Sequence, residues 1–92
     1  MNHHAYHWQF AKKAAKEFSK LDLTVQRRLV RWLDEHIEGY DNPRAWGKAL
    51  SGPLGTFWRY RVGNYRIIAD IQDGQFTVLI VKAGKLGVIY ER

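Results

Sequence analysis

Residues 57–71 read FWRYRVGNYRIIADI, and this stretch decides the fold. Aromatic, charged and aliphatic side chains alternate on both sides of Gly63-Asn64, and a two-residue turn of this kind between such runs is typical of a β-hairpin. We expect one strand over 57–62 and a second over 65–71, with Val62 opposite Tyr65. A third strand is predicted over 76–81, after a second tight turn at Asp73-Gly74.

This register gives the predicted sheet two different faces, because successive side chains of a strand point to opposite sides. One face carries Arg59, Arg61 and Arg66. The other is apolar and should be buried under helices; it carries Trp58, Tyr60, Val62, Tyr65, Ile67, Ala69, Ile71, Phe76, Val78 and Ile80.

The arginine face indicates anion binding. Arg61 and Arg66 are predicted to lie directly opposite each other, where like charges cost a few tenths of a kcal/mol. Guanidinium groups match phosphate oxygens in bidentate geometry, so a bound phosphate would explain this arrangement. The alternative is a solvated face with salt bridges to Asp70 or Glu91. A one-residue slip in register would move the residues of one strand to the other face.

Two helices are predicted upstream. Residues 6–10 alternate as a short strand, and helical spacing follows at Ala11, Ala14, Ala15, Phe18 and Leu21. The second helix, capped by Asp22 or Thr24, has one broad apolar side formed by Val25, Leu29, Trp32, Leu33, His36, Ile37 and Tyr40. Gly39 and Asp41-Asn42-Pro43 should end it, and His36 is interpreted as a packed residue. Residues 44–56 are expected to form a loop with one helical turn over 44–50.

These elements predict an α+β fold of order β-α-α-β-β-β, with a possible last strand over 88–90. Two N-terminal helices would pack on one face of a small antiparallel sheet. We expect a single domain over 1–92, because a chain of 92 residues suits one modest core.

Charge and composition restrict the function. The 15 Lys+Arg exceed the 9 Asp+Glu by 6, which favours a polyanionic partner, either nucleic acid or an acidic protein. The absence of cysteine excludes disulfides and thiolate metal sites and fits the cytoplasm. The chain has no apolar run of membrane-spanning length, and we expect no membrane contact. His3, His4 and His7 have chelating spacing but no neighbouring carboxylate, so neither a metal nor a cofactor is expected.

Residues 58–68, WRYRVGNYRII, closely resemble the core motif of the RelE/ParE toxin superfamily. Tyr6–Phe10 with the lysine-rich helix, Gly47–Gly52, Val78–Val81 and Tyr90 extend the resemblance over nearly the whole chain. The resemblance implies a RelE-like microbial ribonuclease-type fold and the toxin half of a type II toxin–antitoxin system. Toxins of the RelE kind cleave mRNA in the ribosomal A site without a metal, since the RNA's own 2′-hydroxyl attacks the adjacent phosphate.

Carried over by position, the catalytic residues would be Arg59, Arg61, Arg66, Lys85 and Tyr90. The implied partners are a cognate acidic antitoxin, mRNA and the ribosome, with operator DNA contacted only through the antitoxin complex. In the segment after Gly84, Leu86 and Gly87 stand where relatives carry basic residues. We therefore expect reduced activity. Two alternatives stay open: a non-enzymatic toxin of the ParE kind that inhibits DNA gyrase, and a non-catalytic RNA-binding domain.

Overall fold

A computed structural model describes residues 5–50 and 57–85. In chain order they form β1 (His7–Phe10), α1 (Lys12–Phe18), α2 (Leu23–His36), β2 (Lys48–Leu50), β3 (Phe57–Val62), β4 (Tyr65–Gln72) and β5 (Thr77–Lys85). A short 3-10 turn, Asp73–Gln75, joins β4 to β5. The predicted last strand over 88–90 lies outside the described residues.

The strands form one sheet in the order β1-β5-β4-β3-β2. The predicted hairpin register is confirmed, since Val62 pairs with Tyr65 and Arg61 pairs with Arg66. The α+β class with two helices against one sheet is likewise confirmed, but the sheet is mixed rather than wholly antiparallel. The first strand pairs with β5 in parallel, placing His7 opposite Thr77. Helices α1 and α2 and strands β2 to β4 lie between β1 and β5 in the chain, and a parallel pair needs a long connection of this kind.

The core lies between the sheet and the helices. Its sheet side consists of Tyr60, Val62, Ile67, Ala69, Ile71, Val78 and Ile80, all within the face predicted to be buried. Its helical side is formed by Phe18, Leu29, Leu33 and Ile37. Tyr60 is fully buried, and its hydroxyl donates a hydrogen bond to the carbonyl of Pro43 at 2.6 Å. Burial of this one face leaves the arginine face on the opposite side of the sheet.

Three predicted details were wrong. The second helix ends at His36, so Tyr40 lies beyond it and is 53% exposed. No helical turn forms over 44–50. Instead β2 pairs with β3 as an edge strand, with Lys48 opposite Arg59. Phe76 lies in the turn before β5 with a φ of 47°, where it packs against the core.

His36 is packed as predicted. Its ring stacks on Trp32 at a centroid distance of 4.5 Å, and its Nδ1 lies 2.9 Å from the Trp32 carbonyl oxygen. Of the three histidines with chelating spacing, His3 and His4 lie outside the described residues. His7 pairs with the carboxylate of Glu38. No helix in residues 5–50 or 57–85 has the length and apolar character needed to cross a membrane.

Candidate nucleic-acid interface on the open sheet face

The hairpin places three arginines together on the open face. Arg61 lies directly opposite Arg66, and Arg59 lies two residues before Arg61 on the same side of β3. All three line one cavity of about 230 Å³ together with Gly47 and Lys48. The predicted grouping of Arg59, Arg61 and Arg66 is therefore present in the structure.

The positive charges of Arg59, Arg61 and Arg66 repel one another. The pKa of the Arg66 guanidinium is lowered from its ordinary value by burial and then by the positive charges of Arg59 and Arg61. A lowered pKa means that the charged form of Arg66 is less favourable here than in water. An anion placed among the three guanidinium groups would remove this penalty, because it supplies the opposite charge.

Two lysines extend the cationic face along a row that crosses the sheet. Lys48 in β2 pairs with Arg59 in β3, Arg59 pairs with Ile68 in β4, and Ile68 pairs with Lys82 in β5. Directly paired residues project to the same side of a sheet, so Lys48, Arg59 and Lys82 share the open face. The cationic face therefore spans four strands, whereas the three arginines predicted to share it lie on two.

Lys82 reaches this face because β5 contains an irregularity. The pairing shifts between Ile68 and Ala69, whose partners are Lys82 and Ile80, so Val81 is the additional residue. A bulge of this kind changes the side toward which the following side chains point. No local sequence pattern marks such a position, and the alternation of β5 alone does not assign Lys82 to the arginine face.

Lys85, the fourth predicted site residue, lies on the other side of the sheet. It pairs with Tyr65, whose neighbour across the hairpin is Val62 on the helix-covered face. It is exposed at the end of β5. The structure thus does not bring Lys85 together with the three arginines. Tyr90, Leu86 and Gly87 lie outside the described residues, as does Glu91.

The loop before β2 shapes one wall of the cavity. Gly47 has a φ of 79°, and a Cβ added there would lie 2.1 Å from the carbonyl oxygen of Arg59. The same loop is held by Trp58, whose indole Nε1 donates a hydrogen bond to the Trp46 carbonyl at 2.6 Å. The close approach of this loop to β3 needs glycine at position 47. The same approach brings Lys48 beside Arg59.

The second anchor of this loop is an ion pair. Arg44 donates two hydrogen bonds to the carboxylate of Asp73, at 3.0 and 2.9 Å, and the Tyr6 hydroxyl donates a third at 2.6 Å. These contacts hold the pKa of Asp73 down, at about 2, with Arg44 as the main cause and Tyr6 as the next. The loop that carries Gly47 and Lys48 is therefore tied to the turn between β4 and β5.

The chemistry available on this face is cationic. Arginine and lysine side chains can bind and stabilise phosphoryl oxygens, whereas arginine is a poor proton donor or acceptor because its pKa exceeds about 12. No group of histidine, aspartate and glutamate side chains suited to holding a metal ion occurs among the described parts of the chain. The arrangement suits recognition of a phosphodiester and stabilisation of charge that develops on it.

Comparison with known proteins agrees with this geometry. Residues 9–85 match the model of a family described as the ParE toxin of the type II toxin–antitoxin system parDE. The mRNA interferase toxin RelE of Escherichia coli K12 is 30% identical over 82 residues, which cover 88% of this chain and 83% of that protein.

Solved structures show the same fold. The isolated E. coli RelE toxin superposes with a TM-score of 0.70 at 28% identity, covering 95% of this chain and 94% of that one. The toxin–antitoxin complex RelBE2 of Mycobacterium tuberculosis gives a TM-score of 0.77 at 24% identity, covering 88% and 91%. The chain therefore belongs to the ParE toxin family of type II toxin–antitoxin systems, within the RelE/ParE superfamily.

Proposed function

We propose that this protein is a ribosome-dependent endoribonuclease that cleaves mRNA in the ribosomal A site without a metal ion. The observation that carries the proposal is the meeting of Arg59, Arg61 and Arg66 on the open face, across from the helices. A relative named an mRNA interferase is 30% identical over most of the chain, which supports the same activity.

The proposed chemistry uses the RNA's own nucleophile. The 2′-oxygen loses its proton and forms a bond to the adjacent phosphorus, while the bond to the 5′-oxygen breaks and that oxygen takes up a proton. The products are a 2′,3′-cyclic phosphate and a 5′-hydroxyl end. Negative charge grows on the phosphoryl oxygens during this step. Preorganised cations stabilise that charge, and Arg59, Arg61 and Arg66 supply them.

Proton transfer needs a group other than arginine, since a side chain that stays protonated cannot accept the 2′-hydroxyl proton. Tyr90, assigned by resemblance, would orient the 2′-hydroxyl or stack on a base. Lys85, also assigned by resemblance, lies on the other face of the sheet and would supply a cation only where the substrate also contacts the end of β5. Lys82 is an additional candidate, because its register places it on the arginine face.

We further propose that the activity is reduced. Leu86 and Gly87 occupy positions where relatives carry basic residues, and neither side chain can stabilise a phosphorane or protonate a leaving group. Losing one such cation typically costs about 10²–10³ in rate.

The proposed partners are those of a type II toxin. The net charge of +6 suits both an acidic antitoxin and the RNA of the ribosome. An acidic segment that covered the arginine face would block the phosphate site, and DNA of the operator would be contacted only through that complex. The site of action would be the cytoplasm, where ribosomes translate.

The test is to add the purified protein to a reconstituted translation reaction and to map mRNA 5′ ends by primer extension, with free mRNA as the control. We expect cuts confined to codons held in the ribosome. Binding to ribosomes without any cuts would refute the enzymatic proposal and leave a non-catalytic RNA-binding domain.

A second candidate is inhibition of DNA gyrase, favoured by the match to a family described as ParE toxin and by the missing basic residues at 86 and 87. A supercoiling assay with purified gyrase separates the two. Loss of supercoiling, without ribosome binding or mRNA cuts, would identify gyrase as the target.

A further inference from the structure

A second cationic surface lies on α2, outside the open sheet face. Arg27, Arg28 and Arg31 are all exposed. Together with Thr24 they line a cavity of about 270 Å³. Positions three and four apart on a helix are neighbours, and like charges at such spacing destabilise the helix. The salt bridges among residues 5–50 and 57–85, His7–Glu38 and Arg44–Asp73, include none of these three arginines.

This surface reaches the sheet site through the turn of the β3–β4 hairpin. Gly63 has a φ of 62°, and a Cβ added to it would lie 2.3 Å from Nη2 of Arg28. The guanidinium of Arg28 therefore rests on the turn itself. From the other side, Arg61 Nε donates a long hydrogen bond to the Gly63 carbonyl at 3.4 Å. The same glycine thus lies between one arginine of α2 and one arginine of the sheet.

A cavity of about 310 Å³ joins the two surfaces. Three arginines line it, and its other lining residues are one carboxylate and largely apolar groups: Arg28, Arg31, Arg61, Trp32, Glu35, Val62 and Gly63. Arg61 also lines the cavity that contains Arg59 and Arg66. Three guanidinium groups against the single carboxylate of Glu35 leave a net positive site.

We infer that Arg28, Arg31 and Arg61 form a second phosphate-binding site at the hairpin turn, which holds the RNA backbone beside the scissile phosphate. The strand would lie over Arg59 and Arg66, pass Arg61, and continue over the turn to α2. This inference deepens the proposed function and rests on it for the choice of RNA as the polyanion.

RNA fits the surface better than an acidic protein segment for two reasons. The site is continuous through Arg61 with the phosphate site on the sheet, and a nucleic-acid backbone presents one phosphate after another along such a track. Trp32, whose ring packs against His36 and Tyr60, adds partly buried apolar surface to the cavity, and a nucleobase can cover such surface. Carboxylate side chains of a peptide would use the arginines but would leave this surface uncovered.

The test measures RNA binding rather than cleavage. The probe is a fluorescent single-stranded RNA of about a dozen nucleotides with 2′-O-methyl groups, and its affinity is measured by anisotropy over a range of salt concentrations. Each phosphate neutralised on a single strand contributes about 0.7 to the slope of log affinity against log salt. We expect the double variant Arg28→Gln/Arg31→Gln to lower this slope by about 1.4 and the affinity on the order of 10-fold at low salt.

The matched control is Lys12→Gln/Lys16→Gln, which removes two exposed positive charges from α1 instead. We expect it to keep the wild-type slope. An unchanged slope in the α2 variant, or an equal loss in the control, would overturn the inference. So would an α2 variant that loses affinity for a poly-glutamate peptide while it binds the RNA normally.

The nuclease proposal and the second phosphate site can be refuted independently of each other. A lowered RNA slope in the α2 variant, with a wild-type protein that never cuts mRNA on ribosomes, refutes the nuclease and keeps the second phosphate site. Ribosomal cleavage by the wild type with an unchanged slope in the variant refutes the second site alone.

Discussion

Arg61 and Arg66 lie directly opposite each other across the β3–β4 hairpin, with Arg59 on the same side of the sheet. Burial, followed by the positive charges of Arg59 and Arg61, lowers the pKa of Arg66. A like-charged pair at this position opposes folding slightly. If the pair serves the proposed phosphate site, its removal should affect stability and activity in different ways.

Replacing Arg66 with glutamine should separate these two effects. We expect ribosome-dependent cleavage to fall by about 10²–10³, because one cation at the phosphate is lost. We expect the free energy of unfolding in urea to stay the same or to rise by a few tenths of a kcal/mol, since repulsion is removed. Lys12→Gln on α1 is the control for charge loss alone. A large drop in stability together with activity would make Arg66 a structural residue.

Lys82 and Lys85 are matched in charge and strand but lie on opposite faces of the sheet. If the arginine face is the cleavage site, Lys82→Gln should slow cleavage on the order of 10-fold, as loss of a peripheral cation would, and more than Lys85→Gln does. Rates at saturating ribosome concentration provide the comparison. A greater loss with Lys85→Gln would support the sequence-based assignment and would argue that the end of β5 approaches the substrate.

Leu86→Arg tests whether the missing basic residue limits the rate. We expect cleavage to increase, by up to about 10²-fold, because a cation is restored where leaving-group and phosphoryl charge develop. Leu86→Gln is the control, since it adds polarity without charge. If Leu86→Arg cleaves no faster than the parent protein, position 86 lies outside the site.

Gly47 and Gly39 can be compared to test whether the loop before β2 needs glycine where it forms one side of the cavity. Both have positive φ, but only Gly47 has neighbours within 4 Å of an added Cβ. Gly39→Ala should cost about 1 kcal/mol from left-handed strain alone. Gly47→Ala should cost about 3 kcal/mol or more, because the methyl group also meets the backbone of Arg59. Equal losses of unfolding free energy in urea would show that the loop moves at position 47 to accommodate the methyl group.

We also expect Gly47→Ala to lower RNA affinity, since moving the loop moves Lys48 away from Arg59. Gly39→Ala should leave that affinity unchanged, as Gly39 is not among the residues that line the cavity. Anisotropy with the uncleavable RNA measures both variants.

Asp73 gives the protein a pH dependence at low pH. Its folded-state pKa of about 2 lies below the ordinary value of 3.8, owing to the hydrogen bonds from Arg44 and Tyr6. The stability it contributes is complete above the ordinary value and is lost as the pH falls from about 4 through about 2. Because the Arg44–Asp73 ion pair is about half exposed, its contribution to the free energy of unfolding should be less than about 1 kcal/mol.

The measurement compares wild type with Asp73→Asn. We expect the variant to be less stable at neutral pH and the difference to shrink between pH 4 and pH 2. Parallel stability curves for the two proteins over this range would contradict the assignment.

Much of the fold was predictable from short-range patterns. The Gly63-Asn64 turn, the alternation around it and the apolar side of α2 gave the hairpin register and the buried face, because each depends on neighbours within one element or one tight turn. The end of α2 was missed by one turn, since Tyr40 continues the helical spacing although the chain has already turned at Ile37. The edge strand Lys48–Leu50 was missed because three residues carry no recognisable alternation.

By itself the sequence determined that Arg59, Arg61 and Arg66 share one side of a sheet, since strand alternation and a two-residue turn leave no other arrangement in that register. Only the tertiary structure decided which cations join them. Lys48 arrives through pairing with β3, Lys82 through a bulge in β5, and Arg28 by resting on Gly63. Each of these contacts joins residues distant in sequence, and such contacts are fixed by packing of the whole chain rather than by local pattern.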